Sequence, residues 1–176
     1  MSSTARDDLL AQWHAAEQAI RERLGAPGSL SLAEVSALSP AQFFEGISRG
    51  ELPSPPINTL MDFVPVQWSE GLFIFQGNPD GRHYNPLGSV HGGYAATLLD
   101  SCMGCAIHTR LKQGQGYTTL DLRISYVRAL TELTGPVRAE GKVVHLGRST
   151  ALAEGRIYDV DGKLYATGST TCMIFS

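Results

Sequence analysis

The stretch Asn85-Pro86-Leu87-Gly88-Ser89-Val90-His91-Gly92-Gly93, followed by Asp100, holds the residue types best suited to chemistry in this chain. Two glycines at a helix start leave backbone N–H groups open to close approach, and the helix dipole adds partial positive charge there. Such a place suits an oxyanion. Asp100 sits among Ala95, Leu98, Leu99, Cys102, Met103, Ala106 and Ile107, and a buried carboxylate is costly unless it is paired or its pKa is raised. Plainer readings exist: His91-Gly92-Gly93 as an ordinary turn into a helix, and Asp100 as a surface acid. The apolar neighbours leave little polar face for Asp100, which favours a functional role. Cys102-Met103-Gly104-Cys105 is a C-x-x-C without a second such pair or a His pair, which argues against zinc. Its place inside a helix argues against a redox dithiol. No G-x-S-x-G or Walker loop occurs.

These residues need elements to hold them. An almost wholly apolar segment from about Gly92 to Leu111 predicts one long buried helix. Before it, Phe63 to Ser69 and Leu72 to Gly77 form a hairpin across Glu70-Gly71, and Asn78 to Gly81 is turn chemistry. After it, Thr118 to Val127 alternates, with Leu120, Leu122, Ile124 and Tyr126 on one face and Thr119, Asp121, Arg123 and Ser125 on the other. Val137 to Leu146, Ser149 to Val160 and Leu164 to Phe175 follow, joined at Gly147-Arg148 and Asp161-Gly162, so the four runs from Thr118 onward read as a meander. No βαβ alternation appears. The pattern predicts an α+β domain in which a curved antiparallel sheet wraps around one central helix.

Residues 1–57 read differently. Thr4 to Asp7 resembles a capping box, and Leu9, Trp13, Ala16, Ile20 and Leu24 form one helical stripe that Gly25 stops. Ser39, Pro40 and Gln42 open a second helix carrying Phe43, Phe44 and Ile47 before Gly50. Leu52-Pro53-Ser54-Pro55-Pro56 reads as a surface linker. The expected division is therefore a helical extension over 1–57 and a sheet domain over 58–176.

Composition bounds the function. With 176 residues and 43% hydrophobic content the chain can build its own core, and no apolar run is long enough to span a membrane. Acids outnumber bases, 17 to 14, and the bases are scattered, which argues against nucleic-acid binding. Three cysteines cannot all pair, and no charged-then-apolar signal segment follows Met1. A soluble cytoplasmic protein with reduced thiols is expected.

The pattern Asn85-x-x-Gly88-x-x-His91-Gly92-Gly93 with Asp100 resembles the hotdog-fold acyl-CoA thioesterases of the phenylacetic-acid-degradation (PaaI-like) type, in the 4-hydroxybenzoyl-CoA thioesterase superfamily. The resemblance continues through Thr119 to Tyr126, Gly147-Arg148-Ser149 and Asp161 to Gly168, and covers about residues 60 to 175. It implies that the N–H of Gly93, or of Gly92 if the register differs by one, polarises the thioester carbonyl. Asn85 would help hold the carbonyl or the water. Asp100 would activate that water or attack directly, and Thr119 would bind the water, although its place in the alternation leaves its direction open. His91 would fix the helix entrance. Arg128, His145, Gly147, Arg148 and Ser149 stand where the family contacts coenzyme A, which enters as part of the substrate; no metal or other cofactor is implied. Each of these arginines also reads as an ordinary solvated residue.

Gly93 and Asp100, seven positions apart on one helix, are separated by about 10 Å of rise. One helix then cannot offer both groups to one thioester, and two antiparallel helices from neighbouring subunits would. The expectation is a homodimer, or a dimer of dimers, with shared sites and no nucleic-acid or membrane partner. The rivals are a hydratase or dehydratase of acyl thioesters on the same fold, and a non-catalytic acyl-CoA-binding module.

Overall fold

The computed structural model describes residues 3–176. One helix, α5 (Gly92–His108), is wrapped by a single antiparallel sheet of β1 (Phe63–Ser69), β2 (Leu72–Gly77), β3 (Gly116–Tyr126), β4 (Val137–Leu146), β5 (Thr150–Asp159) and β6 (Leu164–Phe175). The strands lie in the order β1-β2-β4-β5-β6-β3. Only β4, β5 and β6 form a meander. The expected four-strand meander fails because β3 pairs with β6, so β1 and β3 are the two edges.

A row of glycines lets the helix sit close on the concave face. Gly141, Gly155 and Gly168 stand opposite one another on β4, β5 and β6. A Cβ on Gly141 would lie 2.3 Å from the Cys102 backbone, and one on Gly155 would lie 3.0 Å from the Leu99 and Met103 side chains. Leu98, Leu99, Cys102, Met103, Ala106 and Ile107 are fully buried in that contact. Their burial removes most of the apolar surface of α5 from water, the largest favourable contribution available to it.

β3 departs from simple alternation. A bulge between Thr119 and Asp121 makes Leu120 the extra residue, since Thr119 pairs with Cys172 and Asp121 with Thr171. Leu120 is 58% exposed instead of sharing the inner face with Leu122 and Ile124. The parity change places Thr119 on the helix side with Leu122 and Ile124.

The N-terminal residues form α1 (Ser3–Arg21), α2 (Leu32–Ser36), α3 (Pro40–Ser48) and α4 (Pro56–Leu60). α1 already includes Ser3, so Thr4 lies within the helix and is not its N-cap; the helix also ends at Arg21, short of Leu24. It covers the outer face of the sheet: Trp13 is buried edge-on against Tyr158 and under the Arg138 guanidinium. Buried Glu17 accepts hydrogen bonds from Gln76 and Asn78 and pairs with Arg21. α3 starts as its Ser39-Pro40-Gln42 signal predicts, with a full capping box. The proline stretch is not a surface linker. Ser54 is buried, exchanging backbone hydrogen bonds with Ala26 and Gly28.

Candidate active site

The start of α5 is built by its N-cap. His91 Nδ1 accepts the Gly93 N–H at 2.8 Å, and the His91 N–H donates to the His83 carbonyl at 2.7 Å. The Gly93 donor is therefore committed to the cap. Among the described residues the Gly92 N–H has no hydrogen-bond acceptor, so Gly92, the one-residue register alternative, presents the free donor. Tyr126 Oη donates to the Gly92 carbonyl at 3.0 Å, and a Cβ on Gly92 would lie 3.1 Å from the Tyr126 ring. A side chain at this position fits only if the exposed Tyr126 ring gives way by a few tenths of an ångström. His91, Gly92, Tyr126 and Arg128 line one groove of about 350 Å³.

Asn85 is engaged within its own loop. Its Oδ1 accepts from the Leu87 and Ser89 N–H groups, and its Nδ2 donates to Ser89 Oγ at 3.2 Å. Within one chain it holds the turn that leads to His91, with its carbonyl oxygen occupied and one Nδ2 N–H left over.

Asp100 faces a second cavity, of about 500 Å³. Thr119 Oγ1 donates to Asp100 Oδ1 at 3.0 Å, a contact made by the β3 bulge. Asp100 Oδ2 has no partner among the described residues, which leaves an acceptor toward the cavity. Phe43, Phe44, Ile47, Phe73, Phe75 and Tyr117 supply most of the remaining wall. Burial pushes the Cys105 thiol up to about 12, so the sulfur beside Asp100 is a thiol and a poor nucleophile. Burial pushes His108 down to about 4, so its imidazole is neutral near pH 7. Phe43, Phe44, His108, Tyr117 and Tyr126 were not singled out as site residues by sequence. The capped α3 with its adjacent Phe43-Phe44 pair was the one available signal for the first two.

The two cavities do not merge within one chain. Gly92 and Asp100 are separated by about 12 Å of helical rise. The residues expected to meet coenzyme A divide in the same way. Arg128 follows the end of β3 that carries Tyr126, its guanidinium 5.8 Å from the centre of the Tyr165 ring. The His145–Ser149 turn lies at the other end, where the Ser149 carbonyl accepts the Ile174 N–H and Tyr117 pairs with Ile174. Nine residues of β3 put those ends about 30 Å apart. Arg148 and Ser149 are exposed there, and the Gly147 N–H is bound to the Thr150 carbonyl at 2.8 Å.

The sequence matches the family model of the thioesterase superfamily over residues 87–166, from the loop after Asn85 to the first residues of β6. The proofreading thioesterase EntH of Cronobacter turicensis is 32% identical over 114 residues, which is 63% of this chain and 82% of that protein. Among solved structures, a phenylacetic acid degradation-related protein of Ralstonia eutropha superposes with a TM-score of 0.68 at 26% identity, over 77% of this chain and 99% of that one. The phenylacetic acid degradation protein PaaI of Thermus thermophilus gives 0.61 at 27% identity, over 67% and 97%. Fold, matched motif and relatives agree: the chain belongs to the thioesterase superfamily, as a hotdog-fold thioester hydrolase of the PaaI-like type.

Proposed function

We propose that the protein hydrolyses an acyl-CoA thioester at a site shared between two subunits. The observation that carries this is the pair of half-sites on one helix: a free N–H at Gly92 and a Thr119-held carboxylate at Asp100, too far apart to meet on one substrate. With two α5 helices antiparallel across a two-fold axis, each Gly92 lies beside the other subunit's Asp100. The same operation brings Arg128 of one chain toward the His145–Ser149 turn of the other, where cationic side chains suit the phosphates of coenzyme A. The free edge of β3, with Leu120, Tyr126 and Val127 exposed, is the surface that supports this pairing. In this reading residues 58–176 carry catalysis and residues 1–57 are added to them. The three free cysteines fit a reducing, cytoplasmic setting.

The chemistry follows from the two half-sites. The carbonyl oxygen accepts from the Gly92 N–H at the positive end of the helix, which stabilises the charge that develops on it. Water donates its proton to Asp100 and adds to the carbonyl carbon. The tetrahedral intermediate then collapses, the C–S bond breaks, and the thiolate takes the proton back from Asp100. Thr119 fixes the carboxylate rotamer that makes this possible.

Replacement of Asp100 by Asn tests the reading. The expected result is hydrolysis of acyl-CoA by wild type and a loss of at least about 100-fold in kcat, with little change in KM. Turnover by Asp100→Asn at the wild-type rate removes Asp100 from the mechanism. Acyl-CoA binding without turnover by wild type favours the binding module, and hydration of an enoyl thioester favours the hydratase.

A further inference from the structure

The cavity at Asp100 is closed by residues outside the family match. Phe43 and Phe44 on α3 place their ring centres 5.1 and 5.2 Å from the His108 ring, and Phe44 stands 4.8 Å from Phe73. Ile57 on α4 completes that side. All three lie before residue 87, where the thioesterase match begins. On the helix side, Ser101, Cys105 and His108 recur at i, i+4 and i+7 as one stripe lining the cavity, with Asp100 at its head. The rise from Asp100 to His108 is about 12 Å. Asp100 is the one acid lining the cavity, no Lys or Arg lines it, and burial keeps the His108 imidazole uncharged near neutral pH.

We infer that α3 and the start of α4 form the far wall of the acyl pocket, so that the N-terminal extension limits acyl length and confines the enzyme to uncharged acyl groups. The inference rests on the reading above, in which the thioester carbon lies at Asp100. A chain laid along the stripe meets Phe43 and Phe44 after about 12 Å, or roughly nine carbons in a zigzag of C–C bonds of about 1.5 Å. An acyl group ending in a carboxylate would bring a second acidic group into a cavity that already holds Asp100 and has no Lys or Arg to pair it. Phe43 is the wall residue best suited to substitution. It is half-buried, whereas Phe44 is 4% exposed and part of the core.

Two measurements on the full chain test this. The first is kcat/KM over straight-chain acyl-CoAs from four to sixteen carbons, with succinyl-CoA and glutaryl-CoA. The second is calorimetric binding of the corresponding non-hydrolysable acyl-CoA thioethers. Wild type is expected to lose at least 10-fold between ten and fourteen carbons and to discriminate against the dicarboxylic substrates by at least 100-fold. Phe43→Ala should move the length limit out by two to four carbons. Ile57→Phe, at a position 43% exposed and able to accept volume without disturbing the core, should move it in. Profiles of the same shape in wild type and both variants, or a wild type indifferent to length, overturn the inference while leaving hydrolysis intact. A length limit that moves in thioether binding with no turnover by any protein sustains the inference and removes hydrolysis. Neither binding nor turnover overturns both.

Discussion

The hydrogen bond from Thr119 Oγ1 to Asp100 Oδ1 decides which way the carboxylate points, and it depends on one inserted residue in β3. Alternation alone left Thr119 facing either way; the bulge at Leu120 turns it toward the helix. The cap was similarly hidden. His-Gly-Gly announces a helix start, but which amide stays free depends on the His91 ring accepting from Gly93, a side-chain orientation that spacing does not encode. A neighbouring residue carries a pH signature. His108 is displaced from its ordinary 6.5 to about 4 by burial, so the unfolded chain binds its proton more readily than the folded one. Stability from this source is complete above about pH 6.5 and declines as pH falls toward 4, by up to about 3 kcal/mol at 1.36 kcal/mol per pH unit. Urea unfolding at pH 8 and pH 4.5 should show His108→Leu losing less stability on acidification than wild type. Equal losses would mean that His108 titrates normally.

Among the elements, the contact of α5 with the sheet is the least tolerant. Gly141→Ala drives a methyl group into the Cys102 backbone, which cannot move without displacing the helix, and should cost about 3 kcal/mol or more. Gly155→Ala meets the Met103 and Leu99 side chains, which can yield, and should cost about half as much. Thermal unfolding of the two variants ranks them; Gly155→Ala as the worse of the pair would contradict the close approach at Gly141. Most elements were legible because their signals are local. The buried apolar helix, the Glu70-Gly71 and Asp161-Gly162 turns and the Ser39 cap each depend on neighbours within a few residues. What escaped was long-range. The pairing of β3 with β6 joins residues about fifty apart, and the burial of Ser54 depends on a bridge to Ala26 and Gly28. Nothing local signals the burial of Glu17, because its partners, Gln76 and Asn78, lie about sixty residues away.

For the whole molecule, the proposed sharing of sites makes a prediction that no single chain can meet. Asp100→Ala removes the carboxylate, and Gly92→Pro removes the free N–H at a first helical position, where proline is tolerated. Each homodimer should be inactive. After subunit exchange, verified with differently tagged chains, a mixed dimer holds one intact site and should recover up to half the wild-type rate per dimer. No recovery despite exchange would place each site within one chain. The bulge also ties the Thr119–Asp100 contact to the order in which the chain is made. β3 emerges from the ribosome roughly forty residues ahead of β6, the strand whose Cys172 and Thr171 define its register. At roughly 5–20 residues per second, the segment carrying Thr119 spends seconds without its partner. During synthesis the Thr119 hydroxyl has no assigned direction, and the last strand to arrive assigns it.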